Sequence, residues 1–547
     1  MIVACAAIAA LQSGKTVNHA PIMKVFLIYV RDEDFYRVLP PELEGSRFSA
    51  GRVQVMAFPP LGIETLAPIV RQHGHAVRMF DTCHPLMKAA HIAETVRREK
   101  PDVIALSFLS TTAYPATRSL AHRLKQTAPD TPVIIGGVFA TINAKEILAD
   151  SPDIDYVAKG EGEELLPEFL EHLTSPEKVG GLVWRAGSKI IENPPRPIIE
   201  NLDQFPYADR KSLPIDYIES MPLDVPAVLS LDRFCTMQTS RGCLSQCVYC
   251  CIPSLANRKW RHRSPAHVLG EMQQLNDEGY RSIYLTDDQF LLNRKRIGAI
   301  CQGIIDRRLA FTWGCEGRVD AVATDQFPLM ARANCTSLAF GVETGTQKVL
   351  DRLKKRQTLD QVAHAVSEAK RCGIATIHGF FVIGAPEETA EEILESFRFA
   401  ARLKLDTFGF NRLCAYRGTP LWREYVERGI IDDARDWNKW FKCSDIDPTS
   451  LAGERVNRAR QKGYLLLFAH RILLRPFQTI KLLRRFGRYM KTADLLTLLW
   501  SPFRKRTLTL TPSLPAPMID QGLTAPVRGV ISKECRGHPR KKGTGGR

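Results

Sequence analysis

Three closely spaced cysteines form the segment of the sequence with the clearest chemical meaning. Cys243, Cys247 and Cys250 follow the spacing C-x3-C-x2-C. Three thiolates on one loop can each bind one iron of a four-iron, four-sulfur cluster, which leaves the fourth iron without a protein ligand. An iron with an open coordination position can bind a substrate. The spacing therefore predicts a 4Fe-4S cluster at which chemistry takes place.

Structural zinc is the alternative occupant of these cysteines. A closed zinc site takes four ligands, usually as two separated pairs, and the chain contains no second C-x2-C and no H-x3-H. Cys251 follows directly, but adjacent thiolates seldom both reach one metal. The other ten of the 14 cysteines lie singly along the chain, which is not the pattern of a secreted disulfide framework. The cluster interpretation is therefore preferred.

The cysteine segment lies in a region where apolar runs alternate with helix-period stretches. Two of the predicted helices begin with capping boxes, Thr358 with Gln361 and Thr389 with Glu392. Six strands connected by helices predict a partial barrel, with site residues at the carboxyl ends of its strands. The six predicted strands are Phe234–Thr239, Ser282–Thr286, Phe311–Gly314, Ser337–Phe340, Thr376–Ile383 and Thr407–Leu413.

The first part of the chain also alternates strands and helices, which predicts a doubly wound parallel sheet. Hydroxyl and glycine residues follow three of its strands, where ligands bind in such sheets. Ser107 lies at the end of the third strand and Thr111 beyond it, Gly136 and Gly137 follow the fourth strand, and Gly160 follows the fifth, together with the acidic residue Glu161. The predicted strands are Lys24–Val30, Ala76–Phe80, Val103–Phe108, Val133–Ile135 and Tyr156–Ala158.

The cysteine motif, with Tyr249 before its last cysteine, resembles the signature of the radical S-adenosylmethionine (SAM) enzymes. The strand ends match that family in order over about residues 231–440. The resemblance implies that the open iron chelates SAM and that an electron from the cluster generates a 5′-deoxyadenosyl radical. It also implies that Tyr249 lies near the adenine. Asp287, Arg318 and Glu343 become candidates for polar contacts to the methionyl or ribose groups of SAM.

Residues 24–170 resemble the cobalamin-binding domain that precedes some radical SAM domains. The resemblance rests on segments that include Pro59-Pro60-Leu61-Gly62, Gly136-Gly137 and Gly160-Glu161-Gly162-Glu163. It implies that Ser107, Thr111, Gly136, Gly137, Gly160 and Glu161 contact cobalamin. The Asp-x-His-x-x-Gly segment that supplies a histidine to cobalt in other cobalamin proteins is absent. Asp81-Thr82-Cys83-His84 does not fit it, so cobalamin would bind without a protein histidine on cobalt.

The combined arrangement resembles the cobalamin-dependent radical SAM family, which includes methylases and the anaerobic magnesium-protoporphyrin IX monomethyl ester cyclase. It implies an enzyme that uses a 4Fe-4S cluster, SAM and cobalamin to methylate an unactivated carbon of a small or lipid-like molecule. A flavodoxin- or ferredoxin-type protein would supply electrons. Two alternatives stay open, a cyclase-type oxidation with oxygen from water and an iron–sulfur electron carrier without SAM chemistry.

The fold class expected from these patterns is α/β, with a Rossmann-like cobalamin-binding domain, a partial (β/α)6 barrel and a helical C-terminal segment. We expect translation to begin near Met23, which opens the first strand. No nucleic-acid partner is expected, and the protein is expected to be cytoplasmic. The expected boundaries are an extension at 1–22, the first domain at 23–175, a connector at 176–230, the barrel at 231–440, a helical segment at 441–503 and a disordered basic tail at 504–547.

The positive charge of the chain is concentrated near its C-terminus. The formal net charge is +16, and residues 455–500 contain 11 Lys and Arg against the single acidic residue Asp494. Tyr464–Leu474 and Phe477–Phe486 are predicted as two short helices, the second with an apolar side and a basic side. A helix of this kind suits an anionic membrane surface. We therefore expect residues 455–503 to dock there, with packing on the barrel as the alternative.

Overall fold

A computed structural model describes residues 21–31, 58–82, 87–213, 233–321, 323–439, 441–446, 451–477 and 480. The extension predicted at residues 1–22 lies outside this range except for its last two residues. The second predicted C-terminal helix falls mostly outside it, and the predicted tail falls wholly outside it. None of the helices in the described ranges is both long enough and apolar enough to cross a lipid bilayer.

The N-terminal part forms one sheet with the strand order β2-β1-β3-β4-β5-β6-β7. The first five strands pair in parallel, as predicted. The strands are β1 Lys24–Tyr29, β2 Ala76–Asp81, β3 Val103–Ser107, β4 Val133–Gly136, β5 Tyr156–Ala158, β6 Leu182–Ala186 and β7 Lys189–Glu192. The helices are α1 Leu61–Gln72, α2 Ala89–Glu99, α3 Tyr114–Thr127, α4 Val138–Ile142, α5 Ala144–Asp150 and α6 Gly162–Glu171.

The connecting segment extends the first sheet, which the sequence did not predict. Strand β6 pairs antiparallel with β5, and β7 pairs antiparallel with β6. Asn193, which follows β7, donates hydrogen bonds to the carbonyl oxygens of Pro176 (2.6 Å) and Val179 (2.8 Å). The start of the connector is therefore part of the N-terminal sheet, and it covers what would be an open edge.

The second sheet has the six predicted strands, all parallel, in the order β13-β12-β11-β10-β9-β8. They are β8 Phe234–Met237, β9 Ser282–Leu285, β10 Thr312–Gly317, β11 Cys335–Glu343, β12 Thr376–Ile383 and β13 Thr407–Arg412. Alternate residues of these strands pack with the surrounding helices in one apolar core. The remaining residues face the inner side of a barrel in which β8 and β13 do not pair.

Helices cover the outer side of the barrel. Both predicted capping boxes are formed, at Thr358 with Gln361 and at Thr389 with Glu392. These caps satisfy the backbone N–H groups of the first turn, so the two helices begin where the sequence predicted. The barrel helices are α7 Pro265–Asp277, α8 Arg294–Asp306, α9 Phe327–Arg332, α10 Gln347–Arg352, α11 Leu359–Arg371, α12 Ala390–Arg402 and α13 Pro420–Glu427.

The C-terminal segment contains one long helix, α14 Gly453–Leu474, where a short helix from Tyr464 was predicted. Its buried residues are Val456, Ala459, Gly463 and Leu467. Their spacing places them on one side of the helix, where Gly463 lies against the ring of Phe397 on α12. The prediction of a start at Tyr464 is wrong because the preceding, mainly polar residues belong to the same helix.

Candidate active site

The loop after β8 carries the three cysteines. Gly242 precedes them with φ +88°, and a Cβ there would lie 2.1 Å from the carbonyl oxygen of Lys259. Only glycine fits this close approach. The Cys243 and Cys247 side chains are buried and Cys250 is half-buried. The sequence thus places all three thiols on a tight loop at the carboxyl end of the first barrel strand.

The environment of the thiols fits a bound iron–sulfur cluster. Within the described ranges, no three His, Cys, Asp or Glu side chains are arranged as a ready metal site. Burial raises the pKa of Cys250 to about 12, and the nearby thiols of Cys247 and Cys243 contribute to this rise. Three neighbouring thiolates are therefore costly unless a cation compensates their charge, and iron supplies that compensation.

Arg318 lies beside the cysteine loop, as the predicted site requires. Its Nη1 atom donates to the Sγ atom of Cys247 at 3.1 Å. Its Nε and Nη2 atoms donate to Asp320, each at 2.9 Å, and Nη2 also donates to the carbonyl oxygen of Lys355. A guanidinium at this position stabilises negative charge on the sulfur of Cys247. Its predicted contact with SAM stays a prediction.

Glu343 and Tyr249 meet on the same side of the loop. The Glu343 carboxylate accepts a hydrogen bond from Lys355 Nζ at 2.5 Å, and this ion pair is buried. Burial raises the pKa of Tyr249 well above its usual value, and the charge and hydrogen bond of Glu343 raise it further. Tyr249 therefore stays protonated and donates. Glu343 has φ +69°, a left-handed conformation that is strained for a residue with a side chain.

Lys355 was missed by the sequence reasoning. It lies in the basic run Lys354-Lys355-Arg356, which carries no motif, and nothing in the local sequence pairs it with Glu343. The structure makes it a link between the other residues, since its carbonyl oxygen accepts from Arg318 and its ammonium group binds Glu343. Cys247, Arg318, Lys355, Glu343 and Tyr249 thus form one connected group.

Asp287 supports the chain that leads to the cysteine loop, and its predicted contact with SAM stays a prediction. Its carboxylate accepts from the backbone N–H of Thr239 (2.6 Å), the hydroxyl of Thr239 (2.5 Å) and the hydroxyl of Ser240 (2.6 Å). Both oxygens are used, and the side chain is buried. Asp287 therefore fixes the chain between β8 and the cysteine loop. Its neighbour Asp288 accepts from the N–H of Gly242 at 2.8 Å and extends the same support.

The predicted cobalamin residues lie together at the carboxyl edge of the first sheet. Ser107 and Gly136 are register partners on β3 and β4. Gly137 has φ +108°, and a Cβ there would lie 2.2 Å from the carbonyl oxygen of Phe108. Gly160 has φ +99° and open space where its Cβ would be. Thr111 begins a short 3-10 helix beyond β3. This edge offers exposed backbone and hydroxyl groups to a large polar ligand.

Glu161, another predicted cobalamin residue, accepts hydrogen bonds from the barrel and from the connector. One oxygen accepts from Arg241 Nη1 at 3.0 Å, and the other accepts from Arg261 Nη1 at 2.7 Å and from the N–H of Ile199 at 3.0 Å. Burial raises the pKa of Glu161, but these arginines outweigh it and hold the pKa below its usual value. Both oxygens of this carboxylate accept hydrogen bonds within the protein, and its predicted contact with cobalamin stays a prediction.

Arg241 joins the two predicted sites. It directly precedes the cysteine motif and donates to Glu163 (2.5 Å) as well as to Glu161. A second contact lies farther along, where Arg417 donates to Asn143 at 3.0 Å and to Glu146 at 2.9 Å. The glycine-rich edge of the first sheet is thereby held next to the cysteine loop.

Comparisons with known families match both parts of the chain. Residues 53–170 match the B12 binding domain, and residues 237–400 match the radical SAM superfamily. An uncharacterized methyltransferase of Pyrococcus horikoshii is 29% identical and covers 81% of this chain and 93% of its own. The anaerobic magnesium-protoporphyrin IX monomethyl ester cyclase of Rubrivivax gelatinosus is 25% identical and covers 78% of this chain and 77% of its own.

Two solved structures share the fold at low sequence identity. OxsB, a cobalamin-dependent SAM radical enzyme solved with aqua-cobalamin bound, has a TM-score of 0.65 and 17% identity over 88% of this chain and 72% of its own. TsrM, a radical SAM methyltransferase from Kitasatospora setae, has a TM-score of 0.60 and 18% identity over 74% of this chain and 76% of its own.

Proposed function

Because it joins a B12 binding domain to a radical SAM domain, the chain belongs to the cobalamin-dependent radical SAM enzymes, and we propose that it methylates an unactivated carbon. The observation that carries this proposal is the pair of ion pairs, Arg241 with Glu161 and with Glu163, that holds the glycine-rich edge of the first sheet next to the cysteine loop. A methyl donor on one edge and a hydrogen-abstracting cofactor on the other need this proximity.

The cofactors of this family are a 4Fe-4S cluster, SAM and cobalamin; when bound, they supply one-electron hydrogen abstraction and a transferable methyl group. Cys243, Cys247 and Cys250 would hold the cluster. Ser107, Thr111, Gly136, Gly137 and Gly160 would contact cobalamin. Tyr249, Arg318 and Glu343 would contact SAM.

The protein's own groups keep this site charged and ordered. Arg318 stabilises the sulfur of Cys247. The buried ion pair of Lys355 with Glu343 fixes a carboxylate beside Tyr249, whose hydroxyl keeps its proton. Asp287 and Asp288 hold the loop that carries the cysteines. These groups set the geometry before a substrate arrives, so little reorganisation is required during the reaction.

Relatives with methylase names support methyl transfer over oxidation. They include the hopanoid C-3 methylase of Methylococcus capsulatus, 26% identical over 58% of this chain and 59% of its own. A cyclase-type reaction is the second candidate, because cyclases are among the relatives that cover more than three quarters of this chain. The radical SAM match argues against a simple electron carrier. In this proposal a flavodoxin- or ferredoxin-type protein supplies electrons to the cluster. The methyl acceptor is a small or lipid-like molecule.

Isotope labelling separates the two reactions. The full chain is reconstituted anaerobically with iron, sulfide and cobalamin and reduced in the presence of SAM with a deuterated methyl group and an extract of the host's small molecules. A product that gains the labelled methyl group supports methylation. An unmethylated product that contains oxygen from labelled water supports the cyclase reaction. A variant with alanine at Cys243, Cys247 and Cys250 is the control and should form neither product.

Bound cobalamin is tested separately by its absorbance. Purification from cobalamin-fed cells should give a corrinoid spectrum in the wild-type chain. Gly137→Val should reduce the corrinoid content several-fold, because the added side chain would meet the carbonyl oxygen of Phe108 and displace the β4 edge. A chain that holds its cluster but shows no corrinoid absorbance would make the first domain a scaffold only.

A further inference from the structure

The inner side of the barrel contains a row of polar residues that the proposed cofactor sites do not use. Glu316 on β10 pairs in register with Ala339 on β11, and Ala339 pairs with His378 on β12. Their sequence neighbours Cys315, Leu338, Phe340 and Ile377 belong to the outer core that packs against the helices. Side chains alternate along a strand, so Glu316, Ala339 and His378 face the inner side of the barrel.

His378 has a ring nitrogen that is available to bind a further group. Its side chain is buried, with 1% of the residue exposed. Nδ1 lies 2.8 Å from the hydroxyl of Thr407, whereas Nε2 has no hydrogen-bond partner among the described residues. Burial lowers the pKa of His378 to about 3, so the ring is neutral at physiological pH. A buried ring nitrogen without a partner is costly unless a ligand satisfies it.

Glu316 is the second polar member of the row. Tyr284 donates to one of its oxygens at 2.9 Å. Burial raises the pKa of Glu316 to about 6. The row contains no lysine or arginine, so it suits a group that donates hydrogen bonds better than it suits an anion.

The residues around this row are small or aromatic. Ala339 is a small residue between the two polar ones. A Cβ at Gly409 would lie 3.8 Å from Nε2 of His378, so the glycine places no side chain against this buried nitrogen. Phe380 packs against His378 with 4.5 Å between ring centroids, and Phe58 stacks on Tyr284 at 5.9 Å. Polar groups are thus set among aromatic rings.

The row also lies near the cluster loop along the strand. Glu316 is two residues before Arg318, which contacts Cys247. Arg318 follows directly after Gly317, the last residue of β10, so the Cα atoms of Glu316 and Arg318 are at most about 7 Å apart. A molecule bound at Glu316 and His378 is therefore within reach of the chemistry proposed at the cysteine loop.

We propose that Glu316 and His378, separated by Ala339, bind a hydroxyl or amino group of an otherwise apolar substrate. Glu316 accepts a hydrogen bond from that group, and Nε2 of His378 makes a second one. The aromatic rings bind the remainder of the molecule. This assignment rests on the proposed function only in taking the bound molecule as the methyl acceptor.

Three probes of one shape test the row without knowledge of the substrate. Benzyl alcohol, toluene and benzoate differ only in the polar group, and their binding to the full reconstituted chain is measured by ligand-observed NMR titration. The wild-type chain should bind benzyl alcohol at least about tenfold more tightly than either of the others, as expected for one to two additional hydrogen bonds. Similar affinities for all three probes would overturn the proposal.

Variants identify the residues through affinity ratios. Glu316→Gln removes the negative charge and should reduce the preference for benzyl alcohol over benzoate at least fivefold. His378→Phe should reduce the preference over toluene by a similar factor. Glu391→Gln makes the same chemical change as the first variant on an exposed side chain, and should leave both ratios unchanged. Ratios that do not move in either row variant contradict the assignment.

A third variant covers the case in which a row variant does not fold, and a SAM-cleavage assay separates this proposal from the proposed function. If a row variant fails to fold by circular dichroism, Ala339→Val replaces it, because a larger side chain between the polar groups should weaken benzyl alcohol binding at least fivefold. No weakening would count against the row. Reductive cleavage of SAM by the wild-type chain is assayed in parallel. Its absence contradicts the proposed function alone, since probe preference does not depend on cluster chemistry.

Discussion

At the scale of single residues, substitution distinguishes the three predicted cluster ligands from the neighbouring Cys251. Replacing Cys243, Cys247 or Cys250 with alanine should reduce the iron content from about four per chain to a small fraction of that, because each supplies one of three cluster ligands. Cys251→Ala is the matched control and should keep both iron and SAM cleavage. Iron analysis after anaerobic reconstitution measures this. If the Cys251→Ala variant loses iron instead, Cys251 is a fourth ligand. The metal site would then have four protein ligands, as a structural zinc site does, and no open position for SAM.

Glu64 on α1 makes stability depend on pH. It is buried, its Oε2 atom has no hydrogen-bond partner among the described residues, and burial raises its pKa to about 7 despite the nearby charge of Arg210. An acid whose pKa is higher in the folded state binds more protons when folded, so this contribution to stability is lost as pH rises from about 5 to 7. The free energy of unfolding of Glu64→Gln should therefore fall by about 2–3 kcal/mol less than that of the wild type over this pH range.

Denaturant unfolding at pH 5 and pH 8 measures the effect of Glu64. The wild-type chain should lose more stability between these values than Glu64→Gln. Glu391→Gln, on an exposed carboxylate, should follow the wild type. Parallel pH profiles for all three proteins would show that Glu64 is not the titrating group.

At the scale of elements, the contact of α14 with α12 depends on one glycine. A Cβ at Gly463 would lie 2.2 Å from the ring of Phe397, whereas a Cβ at Gly62 on α1 would meet nothing within 4 Å. Gly463→Ala should destabilise the chain by about 1–3 kcal/mol through overpacking. Gly62→Ala should stabilise it by up to about 1 kcal/mol, because alanine favours a helix. Opposite shifts in the unfolding midpoint are expected, and shifts of the same sign would contradict the observed packing.

The loop before the cysteines is tied to the first sheet by ion pairs. Arg241→Gln leaves Glu161 and Glu163 without their shared partner in a mostly buried environment. We expect a loss of about 2–4 kcal/mol, as is typical when one member of a buried pair is removed. Arg398→Gln breaks an exposed pair with Glu391 and should destabilise the chain much less, because solvent screens exposed ion pairs. Equal effects in denaturant unfolding would mean that the Arg241 contacts are as weak as surface ones.

At the scale of the whole molecule, the C-terminal helix presents an apolar surface. Leu473 and Leu474 are 76% and 69% exposed and Phe477 is 86% exposed. Arg471 and Arg475 donate to backbone carbonyl oxygens of the barrel, which holds this end of the helix in place. With the excess of basic residues in 455–500, this surface suits the anionic membrane docking expected from the sequence.

Liposome co-sedimentation tests docking at moderate salt. The full chain should bind vesicles that contain anionic lipid, and serine at Leu473, Leu474 and Phe477 should reduce binding at least tenfold. Ile191→Ser, on β7, is the control for a loss of exposed apolar area elsewhere. Binding that is equal in all three proteins, or absent at moderate salt, leaves the helix a packing element only.

The sequence by itself determined the features that depend on local patterns. The spacing of the cysteines, the two capping boxes and the alternation of apolar runs each involve residues within a few positions of one another. Such patterns are read directly because backbone geometry fixes which neighbours share a face. The parallel sheet, the six barrel strands and the glycine-rich edge followed from them. The start of α14 was placed too late because its first two turns are mainly polar.

Only the tertiary structure decided which partners the charged residues have. Glu161 binds Arg241 and Arg261, which lie 80 and 100 positions away along the chain. Asp287 supports Thr239 and Ser240 across two neighbouring strands. The inward row of Glu316 and His378 exists only once three strands are in register. An ion pair or a hydrogen bond acts over a few ångströms in space and leaves no periodic trace in the sequence, so folding had to bring these residues together before their roles could be assigned.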